Sequence, residues 1–440
     1  MSVSTDQPPV ATTEDPTAGV APPPTPLLRP RDGLPPVVDS PTALAALVDA
    51  FAAGRGPVAV DAERASGYRY SQRAYLVQLR RAGAGTALID PIACPDLSAL
   101  NAVIAAQEWI LHAASQDLAC LAEVGLVPEA VFDTELAGRL LGYDRVGLGP
   151  MVEAKLGIKL EKGHSAADWS TRPLPESWLV YAALDVELLV ALRELLADEL
   201  AAAGKAEWAT QEFTYVRVHA AEPRAQRADP WRRTSGIHKV HQARQLAIVR
   251  ELWNERDALA RQRDVAPGRV LPDAAVVAVA MHPPDSRDEL AAVRGFGGRR
   301  SRRDLTRWWQ TLERARQLPD RDLPGQPHRG DGPPPPRTWE RQRPEAAARL
   351  RRCRSAVTEL AAEHHLPAEN LISPDLVRRL AWAPPDGSGA LESAVAQRLA
   401  EGGARGWQVE LVAGPLAASL PAARGSGAQQ PGSDGQSSEG

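Results

Sequence analysis

The sequence predicts a mixed α/β domain followed by two small all-helical domains. The chain has 440 residues, more than a single hydrophobic core usually organises. Three strand-like runs come in close succession, and helices and strands then alternate to about residue 205. From about residue 229 the apolar spacing is helical, and a related helical pattern recurs later in the chain.

The α/β domain is assigned to residues 39–210. Its first helix, SPTALAALVDAFAAG, begins at a Ser40 cap and has proline at the first helical position. The runs PVAVDAE, AYLVQLRR and GTALIDP are typical of strands. The glycine-containing turn between the second and third run predicts a hairpin.

The rest of this domain alternates between helix and strand. The patterns predict a helix at NAVIAAQ, a strand at WILHAAS, and a helix at DLACLAEVG that ends at Gly125. A further helix begins near Asp133 in FDTELAGRLLG. One long amphipathic helix is predicted from about 175 to about 200.

The helical region contains a candidate duplication. The segment APGRVLPDAAVVAVAMHPPD (266–285) aligns with LPAENLISPDLVRRLAWAPPD (366–386), and each follows a long arginine-rich helix. We therefore predict helical domains over 229–317 and 345–418, the second a degenerate copy of the first. A chance match of two proline-rich loops is the alternative.

Three segments have the composition of tails or linkers. Residues 1–38 are rich in proline, threonine and alanine, and residues 421–440 are rich in glycine and serine. Residues 318–344 contain a run of four prolines between the two helical domains. Such segments bury too little apolar surface to offset the entropy of folding, so we expect two disordered tails and an interdomain linker.

Charge and cysteine content narrow the function. The net charge is −4, but residues 229–320 contain 18 basic and 12 acidic residues, a net charge of +6. A basic helical region beside an acidic α/β domain is typical of a nucleic-acid-binding protein whose other domain holds metal. The chain shows no signal peptide and no run of 18 apolar residues, and its three cysteines are widely spaced. We expect a cytoplasmic protein without a membrane span.

Two carboxylates interrupt the first predicted strand. Asp61 and Glu63 follow the apolar run from Val58 to Val60. Side chains at positions i and i+2 of a strand lie on the same face, so these two carboxylates project together. Such a pair suits a divalent cation such as Mg²⁺, but taken alone it is also common at solvated strand ends.

Two later motifs offer further acidic groups. Asp117, in LHAASQDLACL, lies after a strand and at the start of a helix, where an ordinary helix cap is the alternative. Tyr181 and Asp185, in WLVYAALDVELL, are four residues apart and so lie on one helical face. A half-buried tyrosine beside a rim aspartate is the structural alternative for that pair.

Taken together, these motifs resemble the DEDDy class of 3′–5′ exonucleases, and most closely the ribonuclease D family. The segment HSAADWSTRPLPESWLVYAALDVELL (164–189) is similar to the third exonuclease motif of that family, and ALIDP and FDTELAGRLLG are similar to other parts of it. The basic helical region resembles the HRDC (helicase and RNase D C-terminal) domain, including Gly295-Phe296-Gly297. The resemblance implies a ribonuclease H-like mixed-sheet exonuclease domain followed by two all-α HRDC-like domains.

The resemblance also implies a mechanism and a set of site residues. Two divalent metal ions, Mg²⁺ or Mn²⁺, are expected as cofactors, with Asp61 bridging them. Glu63 and Asp185 would complete the first metal site, and Asp117 would hold the second ion. Tyr181 would orient the attacking water. A 3′-terminal nucleotide would then leave as a 5′-monophosphate.

Several basic and glycine residues are candidate contacts to nucleic acid. Arg69 and Arg73 follow the first acids in a tyrosine-rich loop, although a solvated loop explains them equally well. A glycine turn with a basic run suits phosphate contacts, with a solvated helix start as the alternative. The candidates in that turn are Arg294, Gly295, Gly297, Arg299 and Arg300.

The implied function is a metal-dependent 3′–5′ exoribonuclease. We expect it to act as a monomer on single-stranded RNA 3′ ends, with tRNA precursors as the family-implied substrates. A catalytically inactive nucleic-acid-binding protein and a DNA-directed 3′–5′ exonuclease are the alternatives. A helicase is disfavoured because the sequence has no GxxxxGK[ST] run.

Overall fold

The computed structural model describes residues 23–161, 163–164, 166–220, 222, 228–298, 302–325, 332–385 and 390–420. Its central element is a six-stranded mixed sheet of order β2-β5-β4-β3-β6-β7, and β1 and β8 form a separate parallel pair. The strands are β1 (Thr25–Leu27), β2 (Val37–Val38), β3 (Arg55–Arg64), β4 (Ala74–Ala82), β5 (Gly85–Ile89), β6 (Glu108–Leu111), β7 (Ala130–Asp133) and β8 (Ile158–Leu160).

Strand β3 lies inside this sheet. It pairs antiparallel with β4 and parallel with β6, and β4 and β5 form the predicted antiparallel hairpin. Val58, Ala59 and Val60 have no exposed surface, as expected for a strand covered on both faces. The mixed sheet confirms the predicted α/β class.

Eight helices accompany the sheet in the described part of this α/β unit. The predicted caps are present: the Ser40 side chain accepts from the amide of Ala43, and Asp133 caps α4. The helices are α1 (Pro41–Ala53), α2 (Ser98–Ile104), α3 (Leu118–Ala122), α4 (Thr134–Leu140), α5 (Leu148–Leu156), α6 (Glu176–Glu187), α7 (Leu189–Ala202) and α8 (Ala206–His219).

The long helix predicted over 175–200 is two helices, and that prediction is wrong. The chain leaves helical geometry at Leu188, whose φ is −114° and ψ is 2°. The break turns the chain, so that α6 packs on β3, β4 and β5 while α7 packs on β3 and β6 and on the helices α4 and α5. Leu188 is buried at the junction, which keeps the apolar spacing continuous across the break.

The prediction of a disordered tail over residues 1–38 is wrong for its second part, because the described residues 23–38 contain the two short strands β1 and β2. Strand β1 pairs in parallel with β8, and β2 pairs in parallel with the edge strand β5. These backbone hydrogen bonds order a proline-rich segment whose side chains bury little surface. Residues 1–22 lie outside the described part of the chain, as do residues 421–440 of the predicted C-terminal tail.

The remaining helices fall into a first helical unit (residues 228–325) and a second helical unit (residues 332–420). In the first, helices of 21, 4 and 9 residues follow one another, and in the second, helices of 20, 4 and 9 residues do so. The helices are α9 (Ala243–Arg263), α10 (Pro267–Val270), α11 (Asp273–Met281), α12 (Arg287–Ala292), α13 (Leu305–Gln317), α14 (Trp339–Gln342), α15 (Pro344–Glu363), α16 (Ala368–Leu371), α17 (Pro374–Trp382), α18 (Leu391–Glu401) and α19 (Gly406–Ser419).

Part of the predicted linker over 318–344 belongs to the second helical unit. Trp339 is fully buried, its indole N–H donates to the carbonyl of Pro334 at 2.7 Å, and its ring lies 4.8 Å from that of Trp382. Burial of one large aromatic side chain is enough to attach this proline-rich stretch to the helices. Residues 326–331 lie outside the described residues.

The second helical unit shares a hydrophobic core with the α/β unit. Buried residues of α7 and α8 belong to the same cluster as Trp339, Trp407 and the α15 core. The Lys205 Nζ donates to the carbonyls of Leu140 and His364, each at 2.6 Å. The first helical unit has a core of its own. Within the described residues, no helix is both long and apolar enough to cross a membrane.

Candidate active site

The first two acids lie on β3 where the strand leaves the core. Asp61 is partly exposed and Glu63 is 8% exposed, and the two side chains share one face of the strand. The register of β3 against β4 shifts between Glu63 and Arg64. This irregularity ends regular pairing directly after the two carboxylates.

Helix α6 brings Tyr181 and Asp185 to these acids. Tyr181 and Asp185 lie one turn apart on α6, and both side chains line the same cavity as the strand acids. Because α6 packs on β3, the Asp185 carboxylate reaches the strand acids. Ligand oxygens of Asp61, Glu63 and Asp185 all lie within 4.8 Å of one another.

Asp117 reaches the same cavity from the turn after β6. The buried Asp133 carboxylate holds this turn, accepting the backbone amides of Ala113 at 3.1 Å and Ala114 at 2.8 Å. Asp117 starts α3, but its side chain makes no capping hydrogen bond. Its carboxylate instead lies 3.6 Å from the guanidinium of Arg64.

The four acids are short of compensating positive charge. Burial, followed by the charges of Asp61, Asp185 and Asp117, raises the pKa of Glu63 to about 10. Burial raises the pKa of Asp61 to about 6, and it raises the pKa values of Asp117 and Asp185 well above their usual range. Clustered carboxylates with this surplus of negative charge are the oxygen-donor set that hard divalent cations prefer.

The acids line a cavity of about 450 Å³. His112 also borders it; burial lowers the pKa of His112 to about 4, so its ring is neutral at physiological pH. The His112 Nδ1 lies 2.9 Å from the hydroxyl of Thr134, which donates to the Leu111 carbonyl. The His112 Nδ1 therefore carries the proton in this arrangement. The cavity has room for a phosphodiester group at the carboxylates.

The predicted RNA-contacting arginines of the tyrosine-rich loop have partners within the protein. The Arg69 Nε donates to the hydroxyl of Ser170 at 2.8 Å. Arg73 is exposed, and its guanidinium carbon lies 4.9 Å from the centre of the Tyr75 ring. A role for either arginine in binding nucleic acid stays a prediction.

The glycine turn of the first helical unit has a packing role. Gly295 has a φ of +105°, and a Cβ there would lie 2.7 Å from the Cβ of Ala275. A Cβ on Gly297 would lie 2.7 Å from the carbonyl oxygen of Ala291. Arg294 is exposed, while the predicted contacts at residues 299 and 300 lie outside the described residues.

Three residues that support the site are not signalled by local sequence patterns. Arg64 follows Glu63 directly and pairs with Asp117, a contact that the sequence pattern does not signal. Asp133 was read as a helix start, and its second role depends on a turn 20 residues away. Arg172 binds Asp90 with two hydrogen bonds and the carbonyl of Tyr75 with a third, a set of long-range contacts that no local pattern signals.

Three segments of the chain match known protein families. Residues 35–201 match a 3′–5′ exonuclease family, residues 245–312 match the HRDC domain, and residues 332–420 match a family described as a 3′ to 5′ exonuclease C-terminal domain. The fold and the acidic cluster thus define a 3′–5′ exonuclease with C-terminal helical domains.

Relatives of known identity narrow the class to one family. Ribonuclease D of Acidiphilium cryptum is 31% identical over 358 residues, covering 79% of this chain and 86% of the relative. Ribonuclease D of Escherichia coli strain K12 is 30% identical over 342 residues, covering 77% and 87%. The chain belongs to the ribonuclease D family and is a 3′–5′ exoribonuclease.

Solved structures agree with this assignment along most of the chain. A protein from Bifidobacterium adolescentis is similar with a TM-score of 0.83 at 38% identity, covering 90% of this chain and 99% of that one. Escherichia coli RNase D, described as an exoribonuclease involved in structured RNA processing, has a TM-score of 0.62 at 27% identity, covering 87% and 98%. The predicted ribonuclease H-like exonuclease fold with helical C-terminal domains is confirmed.

Proposed function

We propose that this exoribonuclease removes single nucleotides from RNA 3′ ends with two divalent cations, Mg²⁺ or Mn²⁺, held by four acids. Asp61, Glu63 and Asp185 would hold one cation, and Asp61 and Asp117 would hold the other. The observation that carries the proposal is the convergence of Asp61, Glu63 and Asp185, whose ligand oxygens lie within 4.8 Å of one another although they come from β3 and α6.

The charge balance of the acids supports this assignment. Burial raises the pKa values of all four carboxyl groups, so the ionised cluster is costly without added positive charge. Divalent cations held by these carboxylates would supply that charge, lower the pKa of a bound water and stabilise the attacking and leaving oxygens of phosphodiester hydrolysis. The protein's contribution is to hold the carboxylates on two rigid elements beside a cavity that admits the 3′ end.

Tyr181 orients the attacking water rather than deprotonating it. Burial and the neighbouring charge of Asp185 raise its pKa above the ordinary value, so the phenol keeps its proton at physiological pH. Contacts of the Tyr181 ring with the rings of His164 and Trp169 hold the phenol in the cavity beside Asp185. The phenol can then hold a water in line with the scissile bond, and a 5′-mononucleotide leaves.

The substrates we propose are single-stranded 3′ ends, including the trailers of tRNA precursors. Ribonuclease D of Escherichia coli is described as taking part in structured RNA processing. The basic first helical unit suits contacts to RNA phosphates without reading base sequence. We propose that the enzyme works as a monomer in the cytoplasm, where its three free cysteines stay reduced.

An exonuclease assay with a matched pair of variants tests the site. Asp185→Asn removes a cation ligand at nearly constant volume, and we expect at least about a thousandfold loss of kcat on a labelled single-stranded RNA. Asp198→Asn is the control, because Asp198 is an exposed aspartate on the neighbouring helix α7. EDTA should stop the wild-type reaction. Wild-type rates from Asp185→Asn would rule out the assigned site.

The substrate proposal is tested with a tRNA precursor that carries a short 3′ trailer. We expect stepwise trimming of the trailer that slows at the folded acceptor stem, and weaker trimming of a DNA strand of the same sequence. Equal rates on RNA and DNA would contradict the proposed preference for RNA. Failure to shorten the trailer, with a plain RNA strand degraded, would contradict the proposed precursor substrates.

A further inference from the structure

The loop between β3 and β4 (residues 65–73) joins the active site to the first helical unit. It begins directly after the strand that carries Asp61 and Glu63. Its two tyrosines pack in opposite directions: Tyr68 belongs to the apolar cluster that contains Tyr181, and Tyr70 packs on the core of the HRDC-matching unit. The loop is therefore shared between the two units.

Asp264 holds the backbone of this loop from the HRDC side. It ends α9 with a φ of 45°, a conformation that aspartate tolerates better than most residues. Its Oδ1 accepts the amides of Tyr70 at 3.2 Å and Ser71 at 2.9 Å. The amide of Ala266 in turn donates to the carbonyl of Tyr68 at 2.9 Å. These three hydrogen bonds attach the backbone of the loop to the end of α9 and the residues after it.

Side chains of α9 and α10 strengthen the attachment. The Tyr70 hydroxyl donates to Asp257 at 3.1 Å and accepts from Arg261 at 3.1 Å. The guanidinium of Arg269 lies 3.9 Å from the centre of the Tyr68 ring, and its Nε donates to a backbone carbonyl of the loop at 2.8 Å. Both tyrosines of the loop therefore contact side chains of the HRDC-matching unit.

The opposite face of the loop contacts the segment before α6. The Arg69 Nε donates to the Ser170 hydroxyl at 2.8 Å, and that hydroxyl donates to Asp168 at 2.5 Å. Trp169, which lies between Asp168 and Ser170 in the sequence, is fully buried. Its ring lies 6.5 Å from that of Tyr181. A continuous set of contacts therefore leads from Asp264 through the loop to Tyr181.

We propose that the HRDC domain positions the active site through the β3–β4 loop, with Asp264 as the positioning residue. This inference rests on the proposed roles of Tyr181 and the carboxylates. Loss of the Asp264 contact would leave both the strand end and the segment before α6 less constrained. Small displacements of groups that orient a water lower the rate of the chemical step more than they lower substrate affinity.

The test separates positioning from RNA binding by the length of the substrate. Asp264→Asn keeps the size and the left-handed conformation but removes the negative charge, which weakens the hydrogen bonds from the amides of Tyr70 and Ser71, and it removes the second oxygen, which accepts from the Tyr75 hydroxyl. On a labelled diribonucleotide, whose single phosphodiester sits at the carboxylates, we expect kcat to fall about tenfold with KM nearly unchanged. Asp304→Asn is the matched control, because Asp304 pairs with Arg263 inside the HRDC-matching unit, and its kcat should equal that of wild type.

A double variant tests whether the contacts act in series. Arg69→Ala breaks the link to Ser170, so Asp264→Asn combined with Arg69→Ala should be no slower than the slower single variant. Multiplied losses in the double variant would overturn the proposal. Unchanged kcat on the diribonucleotide, with a raised KM on long RNA, would overturn it in favour of direct RNA binding by the loop.

Two further variants keep the outcome interpretable. If Asp264→Asn lowers the melting temperature, Tyr70→Phe carries the test, since it removes only the hydroxyl bonded to Asp257 and Arg261. A wild-type kcat for folded Tyr70→Phe would then overturn the proposal. Asp185→Asn in the same assay reports separately on the catalytic site: an active Asp185→Asn contradicts the proposed function, whereas unchanged kcat in the loop variants contradicts the positioning role alone.

Discussion

The fold strongly alters the ionisation of Glu63. Burial and the negative charges of Asp61, Asp185 and Asp117 raise its pKa to about 10. In the unfolded chain the same carboxyl ionises near its ordinary pKa. Between these two pKa values the unfolded state releases a proton that the cation-free folded state keeps, so stability falls as pH rises.

This linkage predicts a pH-dependent stability in the absence of metal. With EDTA, the melting temperature of the wild type should decrease as pH is raised from about 5 to about 8. Glu63→Gln removes the titrating group, so its melting temperature should depend less on pH and exceed that of wild type at pH 8. Glu123→Gln, at an exposed glutamate, is the control. Parallel curves for wild type and Glu63→Gln would contradict the assigned environment of Glu63.

Local spacing was enough to predict which acids face one another within an element. Asp61 and Glu63 follow from the two-residue period of a strand, and Tyr181 and Asp185 from the helical turn. Their convergence across β3 and α6 depends on packing, and only the family resemblance predicted it. The contact of Arg64 with Asp117 could not be predicted from local spacing. It joins β3 to the turn after β6, and no sequence periodicity encodes a contact between two such elements.

At the scale of elements, the break between α6 and α7 was invisible in the sequence. Leu188 is buried, and the apolar spacing continues through it, so the pattern predicted a single helix. The break matters because α6 has to lie on β3, β4 and β5 to bring Asp185 to β3, whereas α7 packs on β3 and β6 and on the helices α4 and α5. Tertiary contacts, rather than the amphipathic pattern, decide which strands and helices each half packs on.

The Gly295-Phe296-Gly297 turn yields a prediction for the first helical unit. Gly295→Ala should destabilise this unit by about 2 kcal/mol, because the new methyl group meets Ala275 in a conformation that strains alanine. Hydrogen exchange of α9, α11 and α13 should become faster. Gly298→Ala is the control, since a Cβ there meets nothing within 4 Å. Equal exchange in the two variants would contradict a packing role for Gly295.

At the scale of the whole molecule, charge distinguishes the basic first helical unit from the α/β unit that holds the acids. The second helical unit shares its core with the α/β unit, whereas the basic first helical unit has a separate core and touches the β3–β4 loop. Exposed arginines such as Arg302 and Arg303 lie on that unit. We therefore expect its contribution to RNA affinity to be mainly electrostatic.

The salt dependence of RNA binding measures that contribution. Replacing both Arg302 and Arg303 with alanine should weaken binding of a single-stranded RNA. The slope of log affinity against log salt concentration should become less negative by about 1.4. The cleavage rate on a diribonucleotide should not change. Arg55→Ala, an exposed arginine at the start of β3, serves as the control. A slope equal to that of wild type would show that these two arginines do not contact RNA.

Titration of cations into the RNA-free protein tests the central claim most directly, because it reports on the carboxylates without relying on catalysis. By calorimetry with Mn²⁺, the wild type should bind two ions, and Asp61→Asn, which alters the proposed bridging ligand, should weaken both sites by more than about tenfold. Asp49→Asn, at an exposed aspartate of α1, should bind as wild type does. Wild-type affinity and stoichiometry in Asp61→Asn would contradict a cation site built on β3.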